Sequence, residues 1–252
     1  MRWGGSANVQ SGQAAVEAAL TLPLTVFLLL GTLQLFLLLQ ARVLTEYAAF
    51  RAVRTGVVKH GDCEAMTHAA IAALLPSFAR TDSPAALGAS FRAHREGQYQ
   101  PQLDMGFNGS IVWVTRESPR LTDISATEEE DFDDPARYPS VQDVMRLEAR
   151  IVFWYPLRIP FADWVLTRMF LAHLGLRDYS AADPLQPVHK AAWRQGVNAF
   201  TLETAIRNEL LERVDRREYV FPLQATHVMR MMTPPRPRYF VTQNCPPTPE
   251  TL

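Results

Sequence analysis

Cysteine is scarce: Cys63 and Cys245 are the only two in 252 residues, so no Cys-x-x-Cys exists to build a thiolate metal site. The six histidines, His60, His68, His94, His173, His189 and His227, are scattered, and none belongs to a His-x-x-x-His pair with a helical glutamate. The sequence also lacks a Gly-x-Ser-x-Gly nucleophile turn, a phosphate-binding glycine loop and a dinucleotide fingerprint. These gaps leave no argument for an enzyme, a metal or a cofactor. An excess of positive charge is missing too. With 25 Lys and Arg against 26 Asp and Glu, the net charge is −1, which argues against a nucleic-acid partner.

The most telling absence is local. Residues 18–41 contain no charged side chain over 24 consecutive positions. As a helix they would extend about 36 Å, against a bilayer hydrocarbon core of roughly 30 Å. The run is too long for the apolar part of a secretory signal, and Leu39-Gln40-Ala41 is a poor cleavage site. It therefore reads as a retained membrane helix. Its polar members Thr21, Thr25, Thr32 and Gln34 can bond to their own helix or to a neighbour. Pro23 removes the bond to the Ala19 carbonyl and predicts a kink.

What is present just before this run is a lone carboxylate. Residues 1–12 are small, polar and glycine-containing, and read as a flexible leader. Then comes Gly12-Gln13-Ala14-Ala15-Val16-Glu17, with the acid five residues after the glycine. Beyond the membrane stretch Val43, Tyr47, Phe50, Val53 and Val57 recur at helical steps, which predicts one helix over 13–60 whose outer half docks on a soluble domain. His60-Gly61 supplies its stop, with Lys59 in the last turn.

The rest suits an α+β domain over 61–232. A second helix is predicted over 63–79, broken at Pro76, and 80–108 reads as turn-rich. Strands are predicted near 110–116, 147–155 and 219–231, with 147–155 showing the clearest alternation. Helices are predicted over 161–176, and from an N-cap at Thr201 to Arg216. The acidic cluster over 128–134 lacks the spacing of a calcium loop and reads as a solvated segment. Asn108-Gly109-Ser110 matches a glycosylation sequon, a pattern that arises easily by chance. Residues 233–252, with six prolines, read as an extended or disordered tail. Cys63 and Cys245 would pair only in an oxidising compartment; a long-range disulfide and two unpaired thiols both remain open.

Lysine and arginine counts around the apolar run favour a cytoplasmic C-terminal side. A resemblance points the other way. Gly12 followed by Glu17 at the fifth position, opening an apolar helix, resembles the site that prepilin peptidases recognise in type IV pilin precursors. The continuation Gly-Gln-Ala-Ala-Val-Glu-Ala-Ala-Leu-Thr-Leu-Pro-Leu resembles the TadE-like family of pseudopilins in the tight-adherence (Flp) branch of that machinery. The close resemblance covers about residues 11–59. Weaker echoes lie in Tyr155-Pro156-Leu157-x-x-Pro160 and in residues 221–226.

The resemblance implies cleavage between Gly12 and Gln13 on the cytoplasmic face, with the C-terminal domain outside the bacterial inner membrane. It implies that Glu17 serves subunit assembly by pairing with the new α-amine of a neighbouring subunit. The implied partners are the prepilin peptidase, other pilins or pseudopilins through the N-terminal helix, and the inner-membrane assembly platform. The expected fold is pilin-like: a long N-terminal transmembrane helix continuing into a domain with a small antiparallel sheet and flanking helices. The soluble part is long for such a protein. The alternative function is an unprocessed, single-pass anchored binding protein of the envelope.

Overall fold

Helix α1 runs without interruption from Gln10 to Val58, 49 residues and about 70 Å. It starts three residues earlier and ends two residues earlier than the expected 13–60, and Pro23 lies inside it. The structure, a computed structural model, describes residues 10–79, 82–101, 103–104, 106–124, 145–174 and 202–252. The acidic cluster over 128–134, the cap at Thr201 and His189 lie outside the described residues.

Four further helices, three of them expected, and a sheet make up the α+β domain among the described residues. Helix α2 (Cys63–Leu74) is opened by Asp62, whose side chain accepts from the Glu64 N–H, and Pro76 turns its end into a short 3-10 segment. Helix α3 (Pro84–His94) falls where only turns were expected. Ser83 caps it by accepting from the Ala86 N–H, and Pro84 occupies the first helical position, where its missing N–H costs nothing. Helices α4 (Ala162–His173) and α5 (Thr204–Asp215) complete the set described.

The sheet is antiparallel, in the order β3-β2-β1-β4. β1 is Val112–Ser118, β2 Arg146–Pro156, β3 Val220–Arg230 and β4 Asn244–Cys245. β2 pairs with β3 over their full length, Arg146 opposite Arg230 through Pro156 opposite Val220. Pro222 is tolerated because β3 is an edge strand. Alternation holds in the first half of β2 and then stops, because residues 151–156 are buried on both faces. Leu147 and Phe153 face α1 and the 3-10 turn, where Phe153 meets Phe78. Trp154 lies on the other side beneath the Arg213 guanidinium of α5, 4.9 Å from its ring centroid.

Two expectations fail here. The docking face of α1 is not the stripe of Val43, Tyr47, Phe50, Val53 and Val57: Val43 and Tyr47 are exposed. The buried face is Ala41, Thr45, Ala48, Ala49 and Ala52, joined by Val53 and Val57. Small residues let the sheet approach the helix backbone closely; at Gly56 a Cβ would sit 2.4 Å from Leu147 Cδ2. The bulkier residues signalled hydrophobicity, but close packing selected the alanines.

The second correction concerns the tail over 233–252. It is neither extended away nor separate from the domain. Thr233 and Met232 donate backbone N–H groups to the Val57 carbonyl, and Pro234 offers its carbonyl to His60 Nδ1 at 2.8 Å. The chain then adds β4 beside β1, and Cys245 forms a disulfide with Cys63 at the start of α2. Prolines blocked a long ladder, yet two residues of β4 and side-chain bonds such as Thr248 Oγ1 to Val114 suffice to seat the segment.

Candidate assembly and membrane interface

Charge is confined to one point in the first 32 residues of α1. From Gln10 to Ala41 the only ionisable side chain is Glu17, and it is exposed. Gly12 and Gln13 lie in the first turn of α1, so Glu17 follows Gly12 by about 7.5 Å along the axis. The hydroxyls that follow are satisfied internally. Thr21 donates to the Glu17 carbonyl, Thr25 to Leu22 and Thr32 to Leu29, at 2.8–2.9 Å. A helix that closes its own polar bonds can sit in lipid at little cost.

The outward surface of this half is apolar. Almost none of it is buried within the protein. Among the described residues it is the one helix long and apolar enough to cross a membrane. Leu22, Val26, Leu29, Leu33 and Phe36 are all exposed and recur at steps of four, three, four and three. That spacing makes a single seam along the helix, suited to another apolar helix.

The opposite side is tied to the domain through a residue that composition alone did not single out. Gln34 is fully buried, and its Oε1 accepts from the backbone N–H of Arg158 at 3.0 Å and of Ile159 at 2.8 Å. A carboxamide in an apolar helix thereby closes two donors freed where β2 ends. Further down, Phe27 meets Phe161 edge-on at 5.7 Å. The domain therefore grips α1 from Phe27 onward, starting well inside residues 18–41.

Cys63 and Cys245 are brought together, with Cα atoms 5.2 Å apart. They sit at the far end of α1, whose last residue Val58 lies about 60 Å along the axis from Glu17. The residues singled out by the sequence thus form two separate places and not one site.

Sequence reasoning passed over a buried polar pair. His94, closing α3, offers Nδ1 to the Ser90 carbonyl at 2.6 Å and Nε2 to Asp104 Oδ2 at 2.7 Å. Burial alone would lower its pKa, but the bond to Asp104 and the Ser90 carbonyl outweigh that and raise it above 6.5. Arg116 is likewise buried, donating to the carbonyls of Gly61 and Thr242 beneath the Phe240 ring. Burial brings its guanidinium down to about 10, despite the nearby Asp62 carboxylate. No motif spacing marks either group: His94 meets Ser90 and Asp104 within its own stretch of chain, whereas Arg116 joins segments 55 and 126 residues away. Among the described residues, no group of three or more His, Cys, Asp or Glu is placed to hold a metal ion.

The order of these parts, a glycine, an acid five residues on, and an apolar seam continuing into a docked half, finds a counterpart among known proteins. Residues 12–54 match the family of TadE-like proteins. The match begins at Gly12 and ends within the docked half of α1, so it covers the apolar helix and not the sheet domain. No curated protein and no solved structure matches the chain. The α+β domain behind the matched segment carries a pilin-like arrangement of long helix on antiparallel sheet.

Proposed function

We propose that this chain is a pseudopilin-type accessory or minor subunit for assembly of a Tad/Flp pilus or a related secretion apparatus. A prepilin peptidase cuts after Gly12 on the cytoplasmic face, and Gln13 becomes the mature N-terminus. The helix remains in the bacterial inner membrane and the sheet domain lies on the periplasmic or extracellular side, in the compartment that favours the Cys63–Cys245 bond. The observation that carries this reading is the Gly12-to-Glu17 spacing at the head of an exposed apolar helix, inside the TadE-like match.

Glu17 is the assembly contact. A carboxylate at the edge of hydrocarbon is costly unless paired. The α-amine created by cleavage of a neighbouring subunit is a partner of the right charge and chain position. The seam from Leu22 to Phe36 then packs against the apolar helices of other pilins or pseudopilins, with Glu17 fixing their register. The inner-membrane assembly platform receives the same helix.

Substituting Glu17 tests this directly. Glu17→Ala and Glu17→Val should leave membrane insertion and cleavage intact while impairing pilus-dependent attachment. Unaltered attachment in both variants would refute the assembly role.

A further inference from the structure

Helix α4 is apolar on both sides. One side packs inward: Ala162 and Leu171 are fully buried, and the Phe170 ring lies 4.4 Å from that of Phe221. The other side presents Phe161, Trp164 and Met169, exposed by 55%, 46% and 62%. Asp163, Arg168 and His173 interrupt the helix surface, but these three large exposed apolar side chains around Arg168 mark a face that meets a second apolar environment. Phe161 also holds a φ of +70°, a costly conformation for a bulky residue, in the turn that brings its ring against Phe27 of α1.

The position of Phe27 decides what that environment is. From Ala15 to Phe27 the helix rises only about 18 Å, whereas the hydrocarbon core is roughly 30 Å thick. The bilayer must therefore reach about 12 Å past Phe27, close to the level of Gln34. Shifting the helix outward, away from the cytoplasm, until hydrocarbon ends at Phe27 would draw Glu17 and the polar residues before it deep into lipid, which is the costlier choice. Tilting α1 shortens its rise across the bilayer and seats the domain deeper still. Trp164 and Arg168 complete the pattern: the guanidinium stands 5.8 Å from the indole centroid, and such side chains suit the headgroup level with their apolar parts in hydrocarbon.

Resting on the reading of α1 as a membrane helix, we infer that α4 is a second membrane-contact element, lying along the outer-leaflet interface with Phe161, Trp164 and Met169 in lipid. The domain is then not held clear of the membrane on a stalk. It sits against the bilayer, with Gln34 sealing the junction where α1 leaves hydrocarbon.

Site-directed spin labelling of the full chain in phospholipid vesicles tests this. The described residues contain no free cysteine, so a label attaches at an introduced thiol while the native disulfide is kept. Labels at Met169→Cys and Trp164→Cys read α4, Val26→Cys reads the anchor, and Val241→Cys, beside Phe240 at the far end of α1, reads bulk exposure. The expected result is a ratio of oxygen to nickel-chelate accessibility several-fold higher at 164 and 169 than at 241, approaching that at 26. Water-like ratios at 164 and 169 with a lipid-like ratio at 26 would overturn the role of α4 and leave the anchor standing. A water-like ratio at 26 as well would overturn both. Labels at 164 and 169 closed to both reagents would show a protein contact on this face and refute the lipid assignment.

Discussion

Gln34 Oε1 accepts the Ile159 N–H at 2.8 Å, joining the apolar half of the N-terminal helix to the loop that leaves the central strand. With the bond from Arg158, one buried side chain satisfies two backbone donors from a segment more than 120 residues away. This clamp ties the apolar half of α1 to the domain, beyond the packed face of residues 41–57.

Gln34→Leu should weaken the domain while keeping membrane insertion. Leaving a buried donor unpaired costs about 1–3 kcal/mol, partly offset here because Gln34 Nε2 has no hydrogen-bond partner. A net loss on the order of 2 kcal/mol would lower the melting temperature in detergent by roughly 4–8 °C. An unchanged melting temperature would show that the clamp contributes nothing.

Reducing the Cys63–Cys245 bond should release the tail. The bond closes a separation of 182 residues, for which loop entropy assigns roughly 5 kcal/mol as an upper figure. Limited proteolysis of Cys63→Ser, or of reduced wild type, should cut within 233–252 much faster than in the oxidised protein. Alkylation before and after reduction checks the starting state; two reactive thiols in periplasmic protein would contradict the bond.

Gly61→Ala should be strongly destabilising. Gly61 has a φ of +82°, and an added Cβ would fall 2.3 Å from Phe240 Cζ, a rigid ring held under Arg116. Backbone strain and overpacking each cost about 1–3 kcal/mol. Chemical denaturation should show a combined loss of about 2–5 kcal/mol; a neutral variant would mean that the junction of α1, Arg116 and the tail repacks freely.

His94 should make stability depend on pH. Its folded pKa is raised above 6.5, so its contribution is complete below the unfolded value and is lost as pH rises through the folded one. The stability gap between wild type and His94→Gln should therefore narrow from pH 5.5 to pH 8.5. An imidazole titration by NMR with a midpoint at or below 6.5 would contradict this.

The long helix, the α+β class and the three main strands were legible because each rests on local periodicity or an uncharged run. The docking face of α1 was not. Valine and tyrosine carried the hydrophobic signal, while contact with the sheet required alanine, a matter of distance that periodicity does not encode. Helix α3 had its start signals in Ser83 and Pro84, hidden among glycines and prolines that suggested turns. The fold of the tail depends on Thr233, Asn244 and Cys245 finding partners more than 100 residues away, beyond any local rule. In the candidate interface Gly12 and Glu17 stand out by spacing and remain a proposal, whereas Gln34, which the structure buries against Arg158 and Ile159, looked like one more mild polar residue in a membrane helix.

The central claim is that Gly12 marks where this chain is matured for assembly. Mass spectrometry of the membrane-bound protein, from cells with an active prepilin peptidase, tests it most directly. The mature chain should begin at Gln13, and this form should be lost in Gly12→Ala. An intact Met1 in those cells would contradict maturation at Gly12 and favour an unprocessed envelope anchor.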